Sequence, residues 1–82
     1  MPIKKVSELH RNESGAVVEL QSSGALRRRI IDMGVTPGAR IVMRKAAPFG
    51  DPLQINVRGY ALSIRLSEAE QIIVETEDHQ NA

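Results

Sequence analysis

The sequence predicts a small, mainly β domain in which five short strands accompany one short helix. Three observations carry this. Apolar positions alternate with polar ones over Ala16–Gln21, Leu53–Val57 and Tyr60–Ile64, the period of half-buried strands. Between the first two of these the period lengthens: Leu26, Ile30 and Met33 fall at i, i+4 and i+7, a single stripe of a helix. Turn formers then punctuate the chain at Asn12–Gly15, Thr36-Pro37-Gly38, Pro48–Pro52 and Arg58-Gly59.

The composition limits what such a domain can be. Its 82 residues suffice for one core. Hydrophobic residues make up 41% of the chain, but aromatic ones only 2%, Phe49 and Tyr60, so the core must be aliphatic. There is no cysteine, which excludes disulfides, thiolate metal ligands and a cysteine nucleophile. No apolar run approaches the ~18 residues of a membrane span, and residues 1–10 lack the apolar centre of a signal peptide. A cytoplasmic location is expected. The net charge of +1 hides an asymmetry: residues 27–65 carry eight basic and two acidic side chains, whereas residues 66–82 carry five acidic and no basic ones.

Each element has a local cause. Lys5–Leu9 reads as one helical turn, with Ser7 as its cap, laying Val6 and Leu9 over one end of the core. In the strand Ala16–Gln21, Ala16, Val18 and Leu20 share a face. Ser22 and Ser23 offer caps for a helix over about 24–33, which Gly34 ends because a left-handed residue suits that position. Pro37 presets the first central position of a type II turn and Gly38 suits the second. Arg40–Ala46 follows as a strand with Ile41 and Met43 on one face. Leu53–Val57 and Tyr60–Ile64 form a hairpin about Arg58-Gly59. The predicted core joins Val18, Leu53, Ile55, Val57, Leu62 and Ile64. Ser67-Glu68-Ala69-Glu70 matches a capping box and announces a helical turn before the last strand, Ile72-Ile73-Val74. Residues 75–82 read as a flexible tail. The sum is a single domain, a five-stranded SH3-like barrel with one helix and a helical turn before its last strand.

These residues resemble a known family. The elements Leu26-Arg27-Arg28-Arg29, Asp32-Met33-Gly34, Thr36-Pro37-Gly38, Ala47-Pro48 with Gly50-Asp51-Pro52, and Val57-Arg58-Gly59-Tyr60, in this order and at this spacing, are similar to the FeoA family of ferrous iron transport accessory proteins. The resemblance runs from about Gly15 to Glu75. It implies a cytosolic SH3-like module acting on the membrane transporter FeoB, whose cytosolic part carries a GTP-binding domain, so that any membrane contact is made through the partner. The same resemblance extends to the C-terminal domains of iron-dependent repressors, which makes a metal-responsive regulatory domain the alternative. Self-association is left open by the sequence.

No enzyme emerges: there is no G-x-S-x-G, no Gly-rich phosphate loop and no H-E-x-x-H. No cofactor and no metal site are expected, since His10 and His79 are the only histidines and lie far apart. The link to iron and to transition metal ions rests on the resemblance. Nucleic acid is not an expected partner, because single-strand binders need aromatic platforms that this chain lacks. The expected partner-binding residues are Arg28 on the outer helix face, the loop residues Pro48, Phe49, Gly50, Asp51 and Pro52, and the flanking Arg44 and Arg58. Phe49 has no evident core to enter, and two prolines stiffen the loop that carries it. The alternative for Arg27–Arg29 is a solvated helix face in which Arg28 pairs with Asp32 at i,i+4.

Overall fold

The computed structural model describes residues 2–76. Six antiparallel strands form one sheet: β1 (Ile3–Lys5), β2 (Ser14–Leu20), β3 (Arg40–Ala46), β4 (Leu53–Val57), β5 (Tyr60–Ile64) and β6 (Ile72–Thr76), in spatial order β1-β6-β2-β3-β4-β5. All five predicted strands are present. The additional one is β1, which pairs with β6 at Ile3↔Glu75 and Lys5↔Ile73. Three residues with two lysines carry no strand signal of their own; the partner some 70 residues later supplies it. The predicted tail begins within β6, and residues 77–82 lie outside the described part.

A 3-10 turn over Val6–Glu8 places Val6 (fully buried) and Leu9 against the core as expected. Its cap is not Ser7: the Glu8 carboxylate accepts the Lys5 N–H at 2.9 Å. A second substitution of roles occurs before β6. The helical turn α2 (Leu66–Ala69) starts after Arg65, and Glu68, not Glu70, accepts the cap amide, Arg65 N–H, at 2.8 Å. The next free amide, Leu66 N–H, donates to Asp51 Oδ1 at 3.0 Å. Ser67 is thereby displaced as the cap by two carboxylates, one of them from a distant loop.

Helix α1 (Gly24–Asp32) follows the predicted span. Ile30 is fully buried, with Leu26 and Met33 packed beside it. Its end is a Schellman closure: Val35 N–H donates to Ile30 O at 3.3 Å and Gly34 N–H to Ile31 O at 2.9 Å. Gly34 has φ +95°, the left-handed region that favours glycine, and a Cβ there would stand 2.6 Å from Tyr60 Oη, so that hydroxyl would have to shift. The type II turn is present as read, with Ala39 N–H donating to Thr36 O at 2.9 Å and Gly38 at φ +90°.

The core is aliphatic: Val17, Ile30, Ile41, Ile55, Val57, Ile64, Ile72 and Val74 are at most 2% exposed. One expected member is displaced. Val18 is 44% exposed, and Val17 takes its place inside. A bulge between Val17 and Glu19 in the β2–β6 ladder shifts the alternation, so that Val17 and Leu20 are both buried. Leu62 is half-buried at the core's margin.

Candidate functional site

β3 contains a second bulge, between Met43 and Lys45. Met43 pairs with Ile55, both inside; Lys45 then pairs with Gln54, and Ala46 with Leu53. Strict alternation after Met43 would turn Lys45 inward. The extra residue instead leaves Arg44 and Lys45 both exposed, a pair of adjacent cations leading into the next loop.

That loop, 47–52, is closed at its neck by Ala47 N–H donating to Pro52 O at 3.0 Å. Inside it, Gly50 N–H donates to Ala47 O at 2.7 Å, making one tight turn with Pro48 and Phe49 at its centre. The Asp51 side chain adds a third tie, to the start of α2. Phe49 projects from this braced turn and is 96% exposed.

Beside the loop lies an open cleft of about 460 Å³. Leu9, Met43, Leu53 and Leu66 form its floor, and Arg11 and Lys45 are charged members of its wall, which includes no acidic residue. Arg11 and Lys45 are both exposed. The sequence reading did not single out Arg11, Lys45 or the floor. The available signal was the dipeptide Arg44-Lys45 inside an alternating strand, a pattern that a straight strand cannot satisfy.

The remaining expected residues are placed elsewhere. Arg58 sits at the other end of β4 from the loop, six residues beyond Pro52 or roughly 20 Å at ~3.3 Å per residue, so it is not a neighbour of Phe49. Its guanidinium is engaged: Nε donates to Gly34 O at 3.1 Å and an Nη to Thr36 Oγ1 at 2.7 Å. Tyr60 Oη donates to Met33 O at 2.8 Å. The hairpin tip therefore holds the C-terminal end of α1. Arg28 lies on the exposed face of α1, beside a shallow hollow that it shares with Ala25, Asp32 and Met33. The anticipated Arg28–Asp32 pair is not formed; the ion pair of this helix is Arg29 Nε with Glu68 Oε2 at 2.8 Å. Arg27 donates to Leu20 O at 3.4 Å.

Glu13 is the described group with a clearly shifted titration. Burial pushes its carboxyl up, but the His10 N–H at 2.8 Å and the Lys4 ammonium at 2.9 Å outweigh this and hold its pKa below the ordinary 4.5. It lies in the turn before β2 and pins that turn to β1. Among the described residues, no three His, Asp or Glu side chains come together as a metal site, and no helix is long and apolar enough to cross a membrane.

Six strands, a short helix packed by a hairpin clamp and a projecting loop beside a basic cleft define a small SH3-like β domain. The FeoA domain model matches residues 4–76, and the chain belongs to the FeoA family. It is 34% identical over 71 residues to a fusion protein of Porphyromonas gingivalis, Fe(2+) transport protein A joined to the Fe(2+) transporter FeoB; the match covers 87% of this chain and 8% of that protein. Among solved structures, the FeoA-like protein of Clostridium acetobutylicum superposes with a TM-score of 0.86 at 35% identity, covering 99% of this chain and 96% of that one. The zinc-complexed FeoA of Stenotrophomonas maltophilia, described as a prokaryotic SH3 domain protein, superposes at 0.76 with 29% identity, over 88% of this chain and 89% of that one. A manganese-dependent transcriptional repressor shares the fold, with a TM-score of 0.85 at 14% identity over 94% of this chain and 38% of that one.

Proposed function

We propose that this domain is a cytoplasmic accessory module that docks on the cytosolic, GTP-binding part of a FeoB-type transporter and modulates ferrous iron uptake by contact, without catalysis. The observation that carries the reading is Phe49, 96% exposed on a loop tied at three points. A large apolar side chain held in water by a stiff loop is an anchor whose ordering is already complete before binding. Arg44 and Lys45 beside it suit an acidic partner and would speed encounter. The fusion of the two chains in the Porphyromonas gingivalis relative supports association with FeoB in particular.

Phe49→Ala tests this. About 4% of the residue is hidden, so at ~25 cal/mol per Å² the change should cost roughly 0.2 kcal/mol of stability. An anchor of this kind contributes about 2 kcal/mol to binding, or roughly a thirtyfold loss of affinity. A thermal melt like that of the wild type, together with weakened capture of the FeoB cytosolic part and reduced ferrous uptake in cells, is the expected result. A folded variant with undiminished capture and uptake removes the loop from the functional surface.

A further inference from the structure

The basic cleft beside the loop is a second feature of the same face, and its chemistry specifies more than an exposed phenylalanine does. Its floor is aliphatic, built from Leu9, Met43, Leu53 and Leu66, and its wall includes Arg11 and Lys45 with no acidic side chain. Neither cation makes an ion pair with a described residue, in contrast to Lys4 and Arg29, which do. The bulge in β3 leaves Lys45 exposed, and Lys45 lines this cleft. An apolar floor under unneutralised cations is complementary to a ligand that is apolar at its centre and anionic around it.

We infer that this cleft receives one large apolar side chain carried on an acidic polypeptide segment, which Arg11 and Lys45 flank while the apolar side chain rests between Leu9, Leu53 and Leu66. That the segment belongs to the transporter rests on the function proposed above; the peptide chemistry does not. An anionic membrane would satisfy the cations and Phe49 but not the shape: a bilayer surface is flat on this scale and would leave a concavity of about 460 Å³ unfilled. The space suits a side chain with its flanking backbone.

The test is an NMR titration of the full ¹⁵N-labelled chain with three synthetic peptides: an acidic heptamer of Glu and Asp with a central Leu, the same peptide with Ser in place of Leu, and one with Lys in place of each acid. The first should give saturable shifts at the amides of Leu9, Lys45, Gly50 and Leu66. The Ser and Lys peptides should bind at least about tenfold more weakly, as should the Leu peptide to Arg11→Glu/Lys45→Glu, whose two substitutions lie on the exposed surface; tenfold corresponds to ~1.4 kcal/mol. Equal binding of the Ser peptide, shifts centred on α1, or displacement of the Leu peptide by phosphatidylglycerol vesicles would each overturn the inference. Ferrous uptake by the double variant separates the two proposals. If the Leu peptide binds as expected but uptake is untouched, the cleft stands and its assignment to the transporter falls, the transporter reading itself being decided by Phe49→Ala. If uptake drops while the wild-type chain ignores the Leu peptide, the transporter reading stands and the cleft inference falls.

Discussion

The ion pair between Arg29 and Glu68 makes a sharp prediction because its two ends are so unequal. The Arg29 side chain is 63% exposed and the Glu68 side chain 4%. Removing one partner from a fully buried pair costs about 3–5 kcal/mol, because the other charge is stranded. An exposed pair is worth about 0–1 kcal/mol. Arg29→Ala strands the buried carboxylate, although water can enter the space the guanidinium leaves, so a loss of about 2 kcal/mol is expected. Glu68→Gln removes the charge itself. Its amide oxygen still accepts from Arg65 N–H, and Arg29 can turn into solvent, so about 0.5–1 kcal/mol is expected. The double change should then be no worse than Arg29→Ala alone, since no buried charge is left to strand. For a domain this small, ~2 kcal/mol lowers Tm by roughly 8–16 °C, easily read in urea or thermal unfolding near neutral pH. If the two single losses simply add in the double variant, or if Arg29→Ala costs under about 0.5 kcal/mol, the pair is an ordinary surface contact and the argument from unequal burial is wrong.

Four further measurements bear on the rest of the molecule. Val17→Ala should cost about 1.5–3 kcal/mol and Val18→Ala under about 0.5, because the β2 bulge turns only the first inward; chemical denaturation giving the reverse order would refute the register. Ile55→Ala, fully buried, should cost roughly 2–5 kcal/mol, and Leu62→Ala, at the core's margin, clearly less. Glu13, with its folded pKa depressed, adds stability that is present above its unfolded value and is lost as pH falls below about 4.5; Glu13→Gln should flatten the stability profile there, and an unchanged acid slope would contradict this. Calorimetric titration of the tag-free chain with ferrous or zinc ions should give at most weak binding, and a stoichiometric submicromolar site would count against a contact-only role.

What the sequence made legible was what is decided locally. Helix α1 has its stripe at Leu26, Ile30 and Met33 and its stop at Gly34 in adjacent residues, and the type II turn at Thr36–Ala39 is specified by Pro37 and Gly38 alone. The misses share a different cause. Val17 replaces Val18 because a bulge against β6 resets the alternation, and β1 exists because β6 offers it an edge. Glu68 and Asp51 displace Ser67 because the cap of α2 is shared with a loop some fifteen residues earlier. The site divides along the same line. The exposure of Phe49 was legible because the loop itself offers the ring no large apolar neighbour in sequence. The engagement of Arg58 by Gly34 and Thr36 needed the hairpin tip to meet the helix end, which no local pattern announces.

The same long-range ties explain how the loop keeps its form. An exposed phenylalanine and an aliphatic cleft stand within a few residues of each other, and a slack loop would let the ring fold over Leu9 and Leu53, gaining on the order of 1.5–3 kcal/mol by burial. The neck bond from Ala47 to Pro52 and the turn bond from Gly50 to Ala47 set the direction in which Phe49 leaves the sheet. Asp51 fixes the loop to α2, Glu68 fixes α2 to α1 through Arg29, and Arg58 with Tyr60 fixes the end of α1 to the hairpin. Holding the aromatic out therefore draws on a chain of contacts running through both helices. Asp51→Ala, which cuts the link nearest the loop while leaving the core untouched, should therefore let Phe49 move toward the cleft. Chemical-shift changes of the Phe49 ring in that variant, with a melting transition lowered only by the ~0.5–2 kcal/mol of a lost cap, are the observable consequence; a ring signal identical to that of the wild type would mean that the two backbone bonds alone hold the tip.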